Sequence, residues 1–346
     1  MLKGRSAKER AHSVSVVIPV YKGEHSLPAL LKEMLPLTTL GKTAAGRSFV
    51  VIEVILVHDN GPDDSDSIMR QLSDDYDFVS TIWLSRNFGQ HAATLAGMSE
   101  SKGDWIVTLD EDGQHDPAHI PEFIDVAIDE RASLVYAKPT NVAPHGVLRN
   151  AASRSAKRLL SVVVGARASQ EFQSYRLVRG NIGRQLAGFA VSGVYLDIAL
   201  GWVTDRVATV PVELRDEGDR QSGYSYSALF AHFWRMVLSS GTRGLRVVSV
   251  IGLSLAFLGV LLAIYLMVGR LSGSVSIEGW TSLSVITLVC SGAILVSLGI
   301  IAEYIGVTLN VAMGRPLYLI VDDPVRDLPL PDDENLDERD APHGVS

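Results

Sequence analysis

The chain has 346 residues and a formal net charge of −8, with 31 basic and 39 acidic side chains. Nine of those acids and two arginines lie from residue 321 onward, so the first 320 residues are close to neutral. The sequence therefore lacks the basic stripe of a nucleic-acid binder, and we expect no nucleic-acid partner. One cysteine, Cys290, excludes a disulfide framework and a cysteine metal site.

Short apolar runs alternate with helical patterns in the first part of the chain. The run at 13–20 predicts a strand, and a helix is expected from about Ser26, whose hydroxyl is placed to cap it. Further strands are predicted at 50–57, 78–84 and 105–109, with a helix at 90–99. This alternation predicts an α/β fold whose mostly parallel sheet is covered on both faces.

An acidic turn follows the predicted strand at 105–109. Asp110, Asp112 and Gln114 stand at the carboxyl end of that strand, where ligands bind in open α/β sheets. Their oxygens suit Mg²⁺ or Mn²⁺ holding a diphosphate. An acid-rich surface turn is the alternative for an isolated Asp-X-Asp.

Two other strand ends carry candidate ligand-binding groups. Asp59 follows the strand at 50–57 and is placed to bind a ribose or a base edge, although a turn or helix-cap aspartate would look the same. Arg86 and Gln90 flank the start of the helix at 90–99, where the helix dipole favours a phosphate. His91 beside them fits a capping or packing role equally well.

The middle of the chain adds a helix, two strands and a basic stretch. Asp116-Pro117 predicts the start of a helix, and strands are expected at 133–137 and 207–214. A solvated helix face is the ordinary interpretation of the basic run, and a site for a lipid phosphate is the competing one. The run consists of Arg149, Arg154, Lys157 and Arg158.

Two uncharged stretches, 247–269 and 279–302, are each long enough to cross a bilayer as a helix. Two of them separated by a short loop favour a membrane hairpin over buried core helices. The polar start of the chain has no signal-peptide pattern, and arginines flank the pair, so we expect both termini in the cytoplasm. An amphipathic pattern at 225–244 predicts an interfacial helix, with packing on the preceding α/β domain as the alternative.

Four segments carry a family resemblance. They are VVIPVYKGE, VHDNGPDDS, SRNFGQHAATLAG and LDEDGQHDPAHIPEF. In this order and spacing they resemble family 2 glycosyltransferases of the GT-A fold, and more narrowly the polyprenyl-phosphate glycosyltransferases. The likeness covers about residues 13–320.

The resemblance implies roles for individual residues. Asp110, Asp112 and Gln114 would surround the metal and the diphosphate. Arg149 and Arg176, with Ser174 nearby, would hold the acceptor phosphate, and Arg176 is also expected to be catalytic. Nucleotide-sugar binding would fall to Pro19, Tyr21, Glu24, Asp59, Arg86, Gln90 and, in a loop over the donor, Arg220.

These features together predict an inverting glycosyltransferase that uses Mg²⁺ or Mn²⁺ and moves a sugar from a UDP- or GDP-linked donor to a polyprenyl phosphate at the cytoplasmic face of the membrane. The acceptor is largely a dianion at pH 7 and needs no strong protein base. A processive polysaccharide synthase and a catalytically silent lipid-phosphate binder are the rival hypotheses. A homo-oligomer is plausible. The expected division is a catalytic domain at 1–224, the interfacial helix at 225–244, two spans within 245–306, and a tail at 307–346 that is disordered from about 321.

Overall fold

The computed structural model describes residues 10–141, 173–190, 195–215, 243–272 and 279–326. The expectations for Arg149, for Arg220 and for an interfacial helix at 225–244 lie outside these residues.

The described residues form one nine-stranded sheet. Its strands are β1 His12–Val20, β2 Gly41–Lys42, β3 Ser48–His58, β4 Val79–Leu84, β5 Trp105–Thr108, β6 Leu134–Pro139, β7 Arg176–Arg179, β8 Val207–Val212 and β9 Ile320–Val321. Their order is β8-β6-β7-β5-β1-β3-β4-β9, and the short β2 pairs with β3. β1 runs parallel to both β3 and β5, β3 runs parallel to β4, and β6 runs parallel to β8. β7 and β9 run antiparallel to their neighbours, as does β2.

Helices cover both faces of this sheet. Leu27, Met69 and Phe123, from three different helices, pack in one apolar cluster, and Leu95, Leu186 and Leu200 pack in a second. The predicted α/β class, with a mostly parallel sheet, is therefore confirmed. The helices are α1 Leu27–Met34, α2 Ser65–Asp75, α3 Gln90–Glu100, α4 Ile120–Asp129, α5 Gly180–Phe189, α6 Leu196–Val203, α7 Arg243–Leu271 and α8 Trp280–Ala312.

The helix starts show which local predictions hold. α1 begins after Ser26 as expected, but the Ser26 hydroxyl makes no capping hydrogen bond, so that detail of the prediction is wrong. The Ser26 hydroxyl instead lies 3.5 Å from the Gly23 carbonyl oxygen, a contact inside the preceding turn. At the other predicted start, the Asp116 carboxylate accepts from the Ala118 N–H at 2.8 Å, and a 3₁₀ turn at Pro117–His119 leads into α4.

The two long C-terminal helices are apolar and unburied. Within α7 the segment Gly252–Gly269 has a mean hydropathy of 2.3, and within α8 the segment Val289–Ala312 has 1.9, with 0% of either buried. Both segments have the length and composition of membrane spans. The two candidate helices therefore follow the α/β domain in the order that the sequence predicts.

After α8 the chain returns to the sheet. Residues 314–326, here called the return segment, include β9, which pairs antiparallel with β4 at the edge of the sheet. The disordered tail was predicted from about residue 321, but Val321 lies in this strand and Asp323 forms an ion pair with Arg70. The prediction of disorder is wrong at its start, because pairing with a sheet edge outweighs the polar composition of this stretch.

Candidate active site

A cavity of about 420 Å³ opens at the carboxyl ends of β1, β3 and β5. Parallel strands present their carboxyl ends at one edge of a sheet, so residues from distant parts of the chain meet there. We call this space the donor cavity. It is lined by Pro19, Val20, Tyr21, Asp59, Asn87, Gly89, Gln90, Asp110, Glu111 and Asp112.

Asp59 anchors the loop that follows β4. Its carboxylate accepts hydrogen bonds from the backbone N–H groups of Phe88 at 2.7 Å and Gly89 at 2.8 Å. The residue is buried, and burial raises the pKa of the Asp59 carboxyl above its usual value although these two hydrogen bonds oppose the rise. Asp59 therefore shapes one wall of the donor cavity besides facing it.

Close backbone contact brings the β1 and β3 ends together. A Cβ atom at Gly61 would lie 1.8 Å from the carbonyl oxygen of Tyr21, so no larger residue fits between the two loops. Tyr21 and Asp59 consequently line the same cavity.

The acidic turn is held by its neighbours. Asp110 accepts hydrogen bonds on its two carboxylate oxygens, one from the Gln90 amide and one from the Ser174 hydroxyl, both at 2.5 Å. The backbone N–H of Asp110 donates to Nδ1 of buried His115 at 3.1 Å. Burial lowers the pKa of His115, consistent with a neutral ring that accepts this bond. The Gln114 N–H donates to the Asp112 carboxylate at 3.0 Å, so Gln114 fixes Asp112 through its backbone.

Glu111, between the two aspartates, was not among the predicted site residues. Its carboxylate accepts from the Tyr21 N–H at 2.7 Å and from the Lys22 N–H at 2.8 Å, which ties the acidic turn to the loop after β1. The only signal in the sequence is a third acid in the turn, because the contact depends on β1 lying next to β5.

A second cavity of about 230 Å³ adjoins the first through Gln90, which lines both. We call it the side cavity. His91, Gln173, Ser174, Arg176, Tyr195 and Asp197 complete its lining. The rings of His91 and Tyr195 have centroids 3.9 Å apart.

Arg176 is buried beneath the side cavity rather than exposed to it as a free cation. Its guanidinium donates to the Asp197 carboxylate and, at 3.1 Å, to the Thr108 hydroxyl. Tyr136 also donates to Asp197, at 2.9 Å. Burial raises the pKa of Asp197, and the positive charge of Arg176 opposes that rise. Asp197 and Tyr136 are site residues that the sequence did not single out, since neither lies in a recognisable motif.

Two predicted donor-binding residues stand apart from the lining of the donor cavity in the described part of the chain. The Glu24 carboxylate accepts from the Asp64 N–H at 3.3 Å, and the Glu24 N–H donates to Asp63 at 3.2 Å, so Glu24 braces the turn before α2. The exposed Arg86 guanidinium lies 4.3 Å from the centroid of the Phe88 ring, at the rim of the loop.

The carboxylates of the donor cavity fit a divalent cation only if a substrate supplies further ligands. No group of three or more His, Cys, Asp or Glu residues suited to a metal occurs in the described ranges. Mg²⁺ is nevertheless commonly bound by one or two carboxylates together with substrate phosphates. Asp110 and Asp112 face the donor cavity as such a pair, so the residues fit an ion that arrives with a diphosphate.

The chain is similar to a known protein family and to individual proteins and structures. The model for "Glycosyl transferase family 2" matches residues 15–188. An undecaprenyl-phosphate 4-deoxy-4-formamido-L-arabinose transferase from Klebsiella pneumoniae is 31% identical over 89% of this chain and 92% of its own. The protein of the same name from Photorhabdus laumondii is 30% identical over 90% and 94%. Among solved structures, glucosyl-3-phosphoglycerate synthase from Mycobacterium tuberculosis with UDP aligns at a TM-score of 0.45 and 17% identity, covering 67% of this chain and 80% of that one.

Proposed function

The chain belongs to glycosyl transferase family 2, and we propose that it transfers a sugar from a nucleotide-sugar donor to a polyprenyl phosphate at the cytoplasmic face of a membrane. The relatives described above are named as transferases that act on undecaprenyl phosphate, and their likeness extends over about nine tenths of the chain. The observation that carries the proposal is the convergence of Asp59 with the pair Asp110 and Asp112 in one cavity, on a chain with two apolar helices of membrane length.

The donor cavity suits a nucleoside diphosphate. Asp59 can accept a hydrogen bond from a ribose hydroxyl or a base edge, and Pro19 and Tyr21 supply the surface beside it. Asp110 and Asp112, with Gln114 behind them, would hold Mg²⁺ or Mn²⁺. When bound, the ion neutralises charge that builds on the departing diphosphate.

The side cavity suits the sugar better than a second phosphate. Arg176, the arginine among the described residues that line it, is already balanced by Asp197, so these residues offer hydrogen bonds without a net positive charge to match a dianion. A neutral, hydroxyl-rich ring matches that lining, which includes Gln173, His91 and Ser174. The Nε of Arg176 also donates to the Ser174 carbonyl at 3.4 Å, and the Ser174 hydroxyl donates to Asp110. We therefore assign Arg176 a positioning role through Ser174 and Asp110, and leave the acceptor phosphate to Arg149.

Protein groups in this arrangement orient the substrates more than they move protons. A lipid phosphate dianion attacks the anomeric carbon directly, and the diphosphate leaves from the opposite face, which gives inversion. The hydrogen bonds from Gln90 and Ser174 keep the Asp110 carboxylate aimed at the donor cavity.

Purified protein incubated with polyprenyl phosphate and a panel of radiolabelled UDP- and GDP-sugars tests the proposal. We expect one lipid-linked monosaccharide whose anomeric configuration, by NMR, is inverted relative to the donor, and no product after chelation of divalent ions. A long polymer would indicate a processive synthase. Donor binding without any product would indicate a silent binder.

The membrane arrangement needs a separate test. In a Cys290→Ser background, Val275→Cys places a single thiol between the two apolar helices. With both termini in the cytoplasm, a membrane-impermeant maleimide should label this thiol in intact cells. Labelling that requires lysed cells would contradict the proposed orientation.

A further inference from the structure

The return segment joins the second apolar helix to the edge of the sheet. The chain leaves α8 through Gly314, whose φ of +65° is in the left-handed region that favours glycine. β9 then pairs with β4 in the register Trp83 with Val321 and Leu84 with Ile320. One step further on, the Ser85 N–H donates to the Leu319 carbonyl at 3.0 Å.

The return segment contributes to the packing on both faces of the sheet. Leu317 and Tyr318 pack against the same apolar cluster as Phe88. Val321 packs against the opposite cluster, which contains Trp83. The return segment therefore contacts both faces of the sheet at this edge, in addition to pairing with β4.

An ion pair adds a contact between the return segment and α2. Arg70 on α2 donates through Nε to both carboxylate oxygens of Asp323, at 3.0 and 3.1 Å, and its guanidinium lies 4.7 Å from the centroid of the Trp83 ring. The two charged side chains are only 13% and 11% exposed. An ion pair this well shielded is screened by salt less than one on an open surface.

β4, the strand that pairs with the return segment, leads directly into a wall of the donor cavity. β4 ends at Leu84, and the next five residues form the loop whose Phe88 and Gly89 N–H groups bind Asp59. We propose that the return segment positions this donor loop, with Val321 and Asp323 as its positioning residues. That this loop binds a sugar donor rests on the function proposed above. The contact between the return segment and β4 does not.

The hydrogen-bond pattern provides a matched pair of variants. Opposed residues in an antiparallel pair alternate between hydrogen-bonded and non-hydrogen-bonded, and Ser85 with Leu319 is a bonded pair. Trp83 with Val321 is then bonded too, whereas the N–H of Ile320 points away from β4. Val321→Pro removes a bond to β4, while Ile320→Pro places the same ring on the outer side of an edge strand, where proline is tolerated.

Hydrogen exchange of the full-length protein in detergent measures the effect without any substrate. We expect amide exchange at residues 85–89 to rise about fivefold in Val321→Pro, the equivalent of losing one ordinary hydrogen bond, and to stay at the wild-type rate in Ile320→Pro. Equal exchange in the two variants would overturn the proposal, whatever reaction the protein catalyses.

A second pair of variants tests the charged contact by kinetics. Asp323→Asn removes the carboxylate that joins the return segment to Arg70 and leaves the pair of Arg70 with Asp66 on its own helix at 3.0 Å. Arg326→Gln, which removes an exposed pair with Asp74, is the control. We expect the KM for the nucleotide sugar to rise about fivefold in Asp323→Asn only, with the KM for the lipid and kcat unchanged. A lower melting temperature with unaltered KM would show a merely structural contact and overturn the proposal, as would a change in the lipid KM alone. An inactive wild-type protein would instead count against the proposed function and leave the exchange result to stand.

Discussion

The donor cavity and the side cavity lie next to each other and share Gln90, but the charges of their linings differ. The donor cavity is lined by Asp59, Asp110, Glu111 and Asp112, with no lysine, arginine or histidine from the described part of the chain. The side cavity has its one aspartate, Asp197, paired with an arginine. Among the described residues, the lining of the first cavity therefore carries acidic charge without a basic partner, whereas the acid in the lining of the second is paired.

Hydrogen bonds divide the four donor-cavity acids by role. Asp59 and Glu111 each accept two backbone N–H groups and so hold loops in place. Asp110 is aimed by the side chains of Gln90 and Ser174. Asp112 accepts one backbone N–H, from Gln114. We propose that Asp110 and Asp112 are the pair whose charge serves a ligand.

The largest effect is expected from Asp112→Asn. An amide at this position binds a divalent ion more weakly than a carboxylate does. We therefore expect the rate of sugar transfer to fall at least about 100-fold, as it does when other groups that stabilise charge in a transition state are removed. The Mn²⁺ concentration needed for half-maximal activity should rise as well. The exposed Glu100→Gln has the same chemical change away from the cavity and should leave both quantities unaltered. Wild-type metal dependence in Asp112→Asn would remove this residue from the ion site.

The charge balance of the side cavity is tested by unfolding. Asp197→Asn leaves Arg176 buried without a counter-charge, and we expect the free energy of unfolding to fall by about 3 kcal/mol. The double variant Arg176→Met with Asp197→Leu removes both charges and should recover most of that stability. The double variant should still transfer sugar poorly, because Ser174 loses the buried support of Arg176. Full activity in this double variant would assign the pair to folding alone.

A smaller effect is expected from Ser174→Ala. The variant removes one hydrogen bond to Asp110, worth about 1 kcal/mol, so activity should fall about fivefold. Ser174→Thr retains a hydroxyl and should stay closer to wild type. If the alanine and threonine variants lose activity equally, the hydroxyl is not what aims Asp110.

The smallest expected effect concerns pH. Burial lowers the pKa of His58, whose Nε2 has no hydrogen-bond partner among the described residues. The unfolded chain takes up a proton near the ordinary histidine pKa of about 6.5, and the folded ring takes it up only at lower pH, so stability falls as the pH drops through that value. Thermal melting of His58→Gln should show a shallower pH slope, with His115 retaining part of it. An identical slope would show that His58 is not responsible.

Local sequence determined much of the fold and half of the site. The β-branched run of β1 is buried from Val14 to Val20, and the alternation of such runs with helices implied a parallel sheet. Asp59, Asp110 and Asp112 could be predicted because each follows directly on a strand, and strand ends converge at one edge. The two apolar helices followed from length and the absence of charge. These features depend on periodicity over a few residues, which a sequence displays directly.

Only the tertiary structure decided how charges and hydrogen bonds are shared. Glu111 reaches the loop after β1 across 90 residues, Ser174 reaches Asp110 across 64, and Asp323 reaches Arg70 across 253. Whether an acid binds a ligand, a backbone N–H or an arginine depends on which neighbour the folded chain brings within about 3 Å. No local pattern encodes that distance. The sequence therefore pointed to Asp59, Asp110 and Asp112, and the packing of strands and helices decided what each of these acids contacts.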